Sequence, residues 1–322
     1  MGKTALITGI AGQDGSYLSE LLLEQDYRVV GMERLSPESY YENIEHLKPR
    51  VTLYSADLTD QLSLLNLLEQ TLPDEVYNLA SYSYIPLSWD EPVMVGDLNG
   101  LGVARLLQAI RRVKPQARYY QASSSEMFGK PEDMPQTECT PFRPMTPYGT
   151  AKLYGHGIVG NYREQFGVYA CSGILYNHES PRRGREFVTR KIAHAVARIA
   201  LGMQETLTLG DLRARRDWGY AKDYVRAMWL MLQQEQADDY VIASGVTHSV
   251  GECVEVAFAH VQLDWHTHVV SDPQLARRAE LTRLVGDASK ARKQLGWTPT
   301  VSFEDLIRLM VDAELAALRK AG

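Results

Sequence analysis

The segment Thr8-Gly9-Ile10-Ala11-Gly12-Gln13-Asp14-Gly15 constrains this chain more than any other. It follows a short apolar run at 5–8 and opens an amphipathic run at 17–25. Its glycines read GxxGxxG. Gly9 permits a tight turn, Gly12 lets backbone approach a diphosphate, and Gly15 lets the following helix pack closely on the strand. The N-terminus of that helix offers free N–H groups and the positive end of its dipole to phosphate oxygens. A glycine triplet alone is weak evidence, because glycine is common in turns. Its place between a first strand and a first helix gives it force.

The rest of the first half repeats the same rhythm. Apolar runs at 28–31, 51–54, 75–79, 119–122 and 169–175 read as strands, and longer periodic stretches such as 61–70 and 103–113 read as helices. Strand–helix alternation of this kind predicts a Rossmann-type, doubly wound parallel sheet with helices on both faces. Ligands then bind beyond the carboxyl ends of the strands. After 176 the rhythm loosens into helices at 187–201, 223–233 and 250–261, short strands at 206–209, 240–243 and 283–285, and a closing helix from Phe303. We therefore expect a dinucleotide-binding domain over 1–176 and a smaller mixed α/β substrate domain over 177–322, with some elements crossing back. At about 150 residues per domain, 322 residues allow these two units.

Composition narrows the function. A net charge of −6 argues against a nucleic-acid partner. No stretch approaches the ~18 uncharged apolar residues of a membrane span, so no membrane partner is expected. Cys139, Cys171 and Cys253 are far apart and odd in number. They form neither a disulfide scaffold nor a CxxC site, so no metal is expected, and they suit a reducing cytoplasm, as does an N-terminus without a signal-peptide pattern.

Loops after the strands carry the candidate chemistry. Glu33 lies 18 residues after Gly15, near the spacing at which an acid accepts from a ribose 2′-hydroxyl. Arg34 beside it suits a 2′-phosphate instead. The pair points to opposite cofactors, NAD and NADP. Asp57 and Leu58, after the third strand, are placed to cradle an adenine. Tyr148 and Lys152 form YxxxK behind Thr146-Pro147, a good helix start with a capping hydroxyl and an early proline. Residues four apart share a helix face. An ammonium beside a phenol favours the phenolate, so Lys152 is expected to lower the pKa of Tyr148 and make it an acid–base catalyst. The run Gln121-Ala122-Ser123-Ser124-Ser125-Glu126, leaving another strand, places hydroxyls and a carboxylate on the same ligand side.

With these segments on view, the chain resembles the extended short-chain dehydrogenase/reductases, and within them the GDP-mannose 4,6-dehydratase family. TGIAGQDGSYL, DEVYNLA, YYQASSSEMFG, PYGTAKLYG, LYNHESPRRG, EFVTRK, RDWGYAKDYV, MLQQEQADDYV and LGWTP carry the resemblance over nearly the whole chain. It implies dehydration of GDP-mannose to GDP-4-keto-6-deoxymannose by internal hydride transfer through bound NADP. Tyr148, Lys152, Ser124 and Glu126 would be the catalytic residues. Gly9, Ile10, Ala11, Gly12, Gln13, Asp14, Arg34, Asp57, Leu58, Leu79, Ala80, Ser83, Tyr148, Lys152, His178 and Arg183 would contact the cofactor. Ser83, Ser124, Glu126, Tyr148, Asn177, Val188, Lys191, Arg216, Arg277 and Glu280 would contact the sugar nucleotide. A homodimer through a helix bundle, or a homotetramer, is implied as well. Arg182 and Arg185 read as solvated charges.

Some residues depart from the family pattern. Leu35 and Pro37 interrupt the usual arginine–serine run, Glu33 is acidic, Asn43 stands where the family has an arginine, and Arg278 replaces a proline. Tyr82, Tyr84 and Pro86 are bulkier than usual and are expected to reshape the sugar pocket. Two other readings suit the residues: an NADPH-dependent 4-keto reductase or epimerase of a related sugar nucleotide, and a non-catalytic dinucleotide sensor. Glu126 and the YNHESPRRG segment favour the dehydratase. The intact Ser–Tyr–Lys–Glu set speaks against a sensor.

Overall fold

The computed structural model describes residues 2–34, 38–272 and 284–321. Seven parallel strands form the main sheet: β1 (Thr4–Thr8), β2 (Arg28–Glu33), β3 (Thr52–Ser55), β4 (Glu75–Asn78), β5 (Arg118–Ser124), β6 (Ala170–Leu175) and, later in the chain, β10 (Asp239–Ile242). Their spatial order is β10-β6-β5-β4-β1-β2-β3, the doubly wound sheet the sequence predicts. The order reverses between β1 and β4, and a crevice opens there at the carboxyl ends of the strands. Along β1, Ala5 and Ile7 pack into one core layer and Leu6 into the other. Helices cover both faces, so the strand reads as a continuous apolar run rather than an alternating one.

On one face lie α1 (Gln13–Glu24), α8 (Ala221–Met231) and α10 (Ser289–Leu295), with Leu18, Leu22, Met228 and Trp297 buried between them. On the other lie α2 (Gln61–Thr71), α5 (Gly102–Val113) and α6 (Pro147–Phe166), around Leu64, Leu107, Ile110 and Val159. Two short helices, α3 (Leu87–Asp90) and α4 (Pro92–Gly96), precede α5, and a π turn at Asp97–Leu101 joins α4 to α5. The resulting helix, Pro92–Val113, is long and apolar enough to cross a membrane, but 56% of its most apolar window is buried inside the protein. Leu98, Val103, Leu106 and Leu107 face the sheet core.

The second half adds a three-stranded sheet, β7 (Asn177–Glu179), β9 (Arg215–Tyr220) and β11 (Thr247–Ser249), in the order β11-β9-β7. A two-stranded parallel pair joins β8 (Leu207–Leu209) to β12 (Val269–Ser271). Helices α7 (Val188–Ala200), α9 (Val250–His260) and α11 (Phe303–Ala321) enclose a second core around Ile192, Val196, Phe258 and Met310. The chain crosses between the halves several times. β10 extends the main sheet beyond β6, α8 packs on α1, and Trp297 donates its indole N–H to Asp223 O at 2.7 Å. Of the strand expected at 283–285, Arg283 lies outside the described residues and Leu284 and Val285 form no strand; the adjoining Gly286 makes a single bridge to Gln136.

Candidate active site

The glycine loop takes the shape its sequence requires. Gly9 has φ +69°, and a Cβ there would lie 2.9 Å from the Cα of Ala80. A Cβ on Gly15 would lie 2.4 Å from the carbonyl oxygen of Gly9. Thr8 binds the neighbouring strand exit to this loop: its hydroxyl donates to Asn78 Oδ1 at 2.7 Å and accepts the N–H groups of Leu79 and Ala80, each at 3.0 Å. Gly12 provides no side-chain cap for α1. The first-turn donors of that helix therefore face the cavity without a capping side chain, the arrangement that holds a diphosphate. The Ala11 peptide is clamped on both sides. Its N–H donates to Glu33 Oε1 at 2.8 Å and its carbonyl accepts from Asn43 Nδ2 at 3.1 Å. Burial raises the Glu33 carboxyl, and the Ala11 N–H only partly offsets this.

A cavity of ≈ 350 Å³ opens above the loop. Gly9, Ala11, Gly12, Gln13, Asp14, Leu79, Ala80 and Ser83 line one side; Ser124, Glu126, Tyr148, Lys152, Asn177, His178 and Arg183 line the other. A second cavity of ≈ 340 Å³ shares Ile85, Glu126, Asn177 and Phe187 with the first and adds Val188, Lys191 and Arg216. A third, of ≈ 150 Å³, holds Arg34, Asp57 and Leu58 beside Gly9 and Glu33. These three spaces gather the residues expected at cofactor and substrate, with few exceptions. The Ile10 side chain is fully buried in the core, so only its backbone belongs to the loop. Arg277 and Glu280, and the departures at Leu35, Pro37 and Arg278, lie outside the described residues.

Tyr148, Lys152 and Ser124 meet because two elements start against each other. Thr146 caps α6 by accepting the Gly149 N–H at 3.0 Å, with Pro147 in the first turn. Gly149 lacks a side chain where a Cβ would come within 2.6 Å of the Glu126 carbonyl oxygen, so α6 begins directly on the turn after β5. Ser124 caps that turn, accepting the Glu126 N–H at 3.2 Å. Lys152 donates to the Ala122 carbonyl at 2.9 Å, and its ammonium lies 5.7 Å from the centroid of the Tyr148 ring.

The electrostatics correct one expectation. Lys152 does not pull the phenol down. Burial pushes Tyr148 up to about 12, with the Ser124 hydroxyl offsetting part of the rise. The same desolvation lowers Lys152 to about 8. Without a ligand the phenol is therefore an acid at neutral pH. It becomes a base when a positive charge is brought beside it, which favours the phenolate.

His178 and Asp14 form a second buried pair. Nδ1 of His178 lies 2.8 Å from the Tyr176 carbonyl and Nε2 lies 2.8 Å from Asp14 Oδ2. Both partners are acceptors, so the ring carries both protons. Burial alone would lower His178, but the charge and hydrogen bond of Asp14 outweigh it and raise the imidazole. Burial likewise opposes the Asp14 carboxylate, and His178 holds it below its usual range. The cavity thus keeps a charged His–Asp pair at the start of α1, with Tyr224 stacked on the imidazole at 4.6 Å.

Three more observations differ from the sequence reading. Arg182 is not a solvated charge. It pairs with Glu20, donates to Ser16 Oγ at 3.1 Å and covers the Tyr17 ring at 4.0 Å. Tyr82 lines the small third cavity rather than the sugar side, where Tyr84, Ile85 and Pro86 do stand. Finally, the sequence reading missed Phe187 and Glu179. The Arg183 guanidinium lies 3.5 Å from the Phe187 centroid, and its Nε is 3.3 Å from Glu179 Oε2 without making a hydrogen bond. Their only signal was position, since both sit inside the segments 175–184 and 186–191 that carry the resemblance. Among the described residues no group of three or more His, Cys, Asp or Glu side chains gathers to hold a metal.

Comparison with known proteins points the same way. A family model described as GDP-mannose 4,6 dehydratase matches residues 6–310. GDP-mannose 4,6 dehydratase 1 of Arabidopsis thaliana is 48% identical over 99% of this chain and 91% of its own. RMD from Pseudomonas aeruginosa, solved with NADPH, shares the fold at TM-score 0.83 and 24% identity, covering 98% of this chain and 99% of its own. DesIV from Streptomyces venezuelae, a dTDP-glucose 4,6-dehydratase solved with NAD, does so at TM-score 0.84 and 24% identity, covering 96% of each.

Proposed function

The chain belongs to the GDP-mannose 4,6-dehydratase family, and from that premise we propose that it converts GDP-mannose to GDP-4-keto-6-deoxymannose and water. The observation that carries the mechanism is the shared wall of two cavities. Glu126 lines both the space above the glycine loop and the neighbouring space that holds Val188, Lys191 and Arg216, beside Tyr148 and Lys152. One carboxylate and one phenol therefore border the place where a hexose on the substrate side would meet a dinucleotide on the other.

A bound nicotinamide dinucleotide, NADP in our reading, supplies a hydride acceptor that later returns the same hydride. The donor set fits that group: uncapped first-turn N–H groups of α1, a backbone cradle at Gly9 that a Cβ would fill, and the cationic His178 and Arg183. The rest is the work of this chain's residues. Tyr148 takes the proton of the 4-hydroxyl while Ser124 holds that oxygen. Lys152, whose ammonium lies behind the phenol, keeps cationic charge at the site. The 4-ketone acidifies the hydrogen on carbon 5. Glu126 removes that proton and protonates the departing 6-oxygen, which leaves as water. Two protons are taken, from the 4-hydroxyl and carbon 5, and two are returned, to the leaving oxygen and carbon 5. Lys191 and Arg216 supply cationic donors for the diphosphate of the substrate, a role that suits arginine forks.

The test is incubation of purified protein with GDP-mannose and no added reductant. A 4-keto product absorbing in alkali should accumulate with no net change in cofactor redox state. A requirement for stoichiometric NADPH would replace this reading with that of a 4-keto reductase.

We also propose that the chain pairs with a second copy of itself through α4, α5 and α6. Trp89, Val93, Leu101, Met145 and Tyr154 are exposed along one groove between these helices. A contiguous apolar face of this kind marks an interface, and two helices from each copy would close it as a four-helix bundle. Val93→Arg should shift the sedimenting species to the 36.3 kDa monomer; an unchanged dimer would place the interface elsewhere. The three free cysteines, one of them exposed, fit a reducing compartment such as the cytoplasm.

A further inference from the structure

A rigid chain of contacts runs from the interior to the adenosine end of the cavity. Asn99 is buried at the π turn between α4 and α5. Its Oδ1 accepts the Tyr82 N–H at 3.0 Å, and its Nδ2 donates to the Tyr82 carbonyl at 3.0 Å. One amide side chain thus fixes both backbone groups of one residue. A π turn inserts an extra residue into a helix and re-aims the side chains around it. Tyr82 is held in this way with its ring against the third cavity. Its hydroxyl accepts from Arg34 Nη1 at 2.9 Å, and the guanidinium carbon lies 5.4 Å from the ring centroid.

Arg34 follows β2, whose end faces the 2′ position of an adenosine ribose in this fold. Its remaining donors have no partner among the described residues. Glu33, its neighbour, opposes a 2′-phosphate by charge and suits a 2′-hydroxyl. One oxygen of Glu33 is already spent on the Ala11 N–H. A free arginine would have to lose its rotamer freedom on meeting a phosphate; one already held in place loses less.

We propose that Tyr82 is a specificity-determining residue. It holds Arg34 over the adenosine subsite so that the guanidinium meets a 2′-phosphate preorganised and outweighs the charge of Glu33, and the chain takes NADP in preference to NAD. This deepens the dinucleotide reading of the site and rests on it.

The test is titration calorimetry with NADP and with NAD on the wild type, Tyr82→Phe, Arg34→Ala and the double variant. Tyr82→Phe should raise the Kd for NADP about tenfold, the scale of one charge-assisted contact, while the Kd for NAD stays within about twofold. In the Arg34→Ala background the Tyr82 change should have no further effect on the NADP/NAD ratio. Equal weakening of both dinucleotides, an unchanged affinity for NADP, or additive losses in the double variant would overturn the proposal. Failure of both dinucleotides to bind the wild type would overturn it together with the cofactor reading. Binding without turnover of GDP-mannose would sink the dehydratase reading alone and leave the Tyr82 result standing.

Discussion

Exchanging Tyr148 for phenylalanine should lower turnover of GDP-mannose by about 10³-fold, within the 10²- to 10⁴-fold range of a lost general acid–base. The ring packs against Val95 and Ala151, and phenylalanine preserves that packing. Affinity for the dinucleotide should therefore stay near the wild-type value, since the loop and the His178–Asp14 pair are untouched. The pH profile adds a separate check. Desolvation holds the phenol near 12 and Lys152 near 8. The wild type should gain activity as pH rises toward neutrality, because the deprotonated phenol is the form proposed to act as base. It should then level or fall as Lys152 loses its proton and, with it, the cation behind the ring. A Tyr148→Phe enzyme that keeps more than a tenth of wild-type turnover would assign the base to another group.

Replacing Glu126 with glutamine should slow product formation by about 10²-fold or more, through loss of the base at carbon 5. Its backbone role should survive. The Glu126 N–H would still reach Ser124, and Gly149 would still seat α6 against its carbonyl. Oxidation at carbon 4 should therefore remain possible while elimination stalls. In deuterated water the wild type should place deuterium at carbon 5 of the product, and the variant should do so far more slowly. Undiminished deuterium incorporation in Glu126→Gln would show that some other residue takes that proton.

The parts of this site that were legible from sequence are those whose chemistry is local. Gly9, Thr146-Pro147, the Ser124–Glu126 run and YxxxK each carry their geometry within a few residues of chain. What was not legible depended on partners brought in by the fold. Arg182 looked like a surface charge because its partner, Glu20, is 162 residues away. Tyr82 looked like a sugar-side residue because nothing in the sequence marks the π turn at Asn99 that turns it toward Arg34. The expected lowering of the Tyr148 pKa is not met because the spacing fixes neighbours but not solvent. With the phenol buried, desolvation raises it by more than the neighbouring hydroxyls lower it. The main sheet was legible as a class from its alternating runs, yet its seventh strand was not assignable to it: β10 lies more than sixty residues beyond β6 and pairs with it only in three dimensions.

That returning strand limits how the enzyme can move. A molecule divided at one linker can open and shut about a hinge of a few residues. Here β10, α8 and α10 belong to the nucleotide half while α7, α9 and α11 belong to the other, so the backbone is stitched across the boundary at several points. Swinging one half as a rigid jaw would have to bend the chain at each of these crossings at once. Closure over a bound sugar nucleotide is thereby confined to the rims of the crevice, and capture of the substrate becomes a matter of side chains and short loops settling in place.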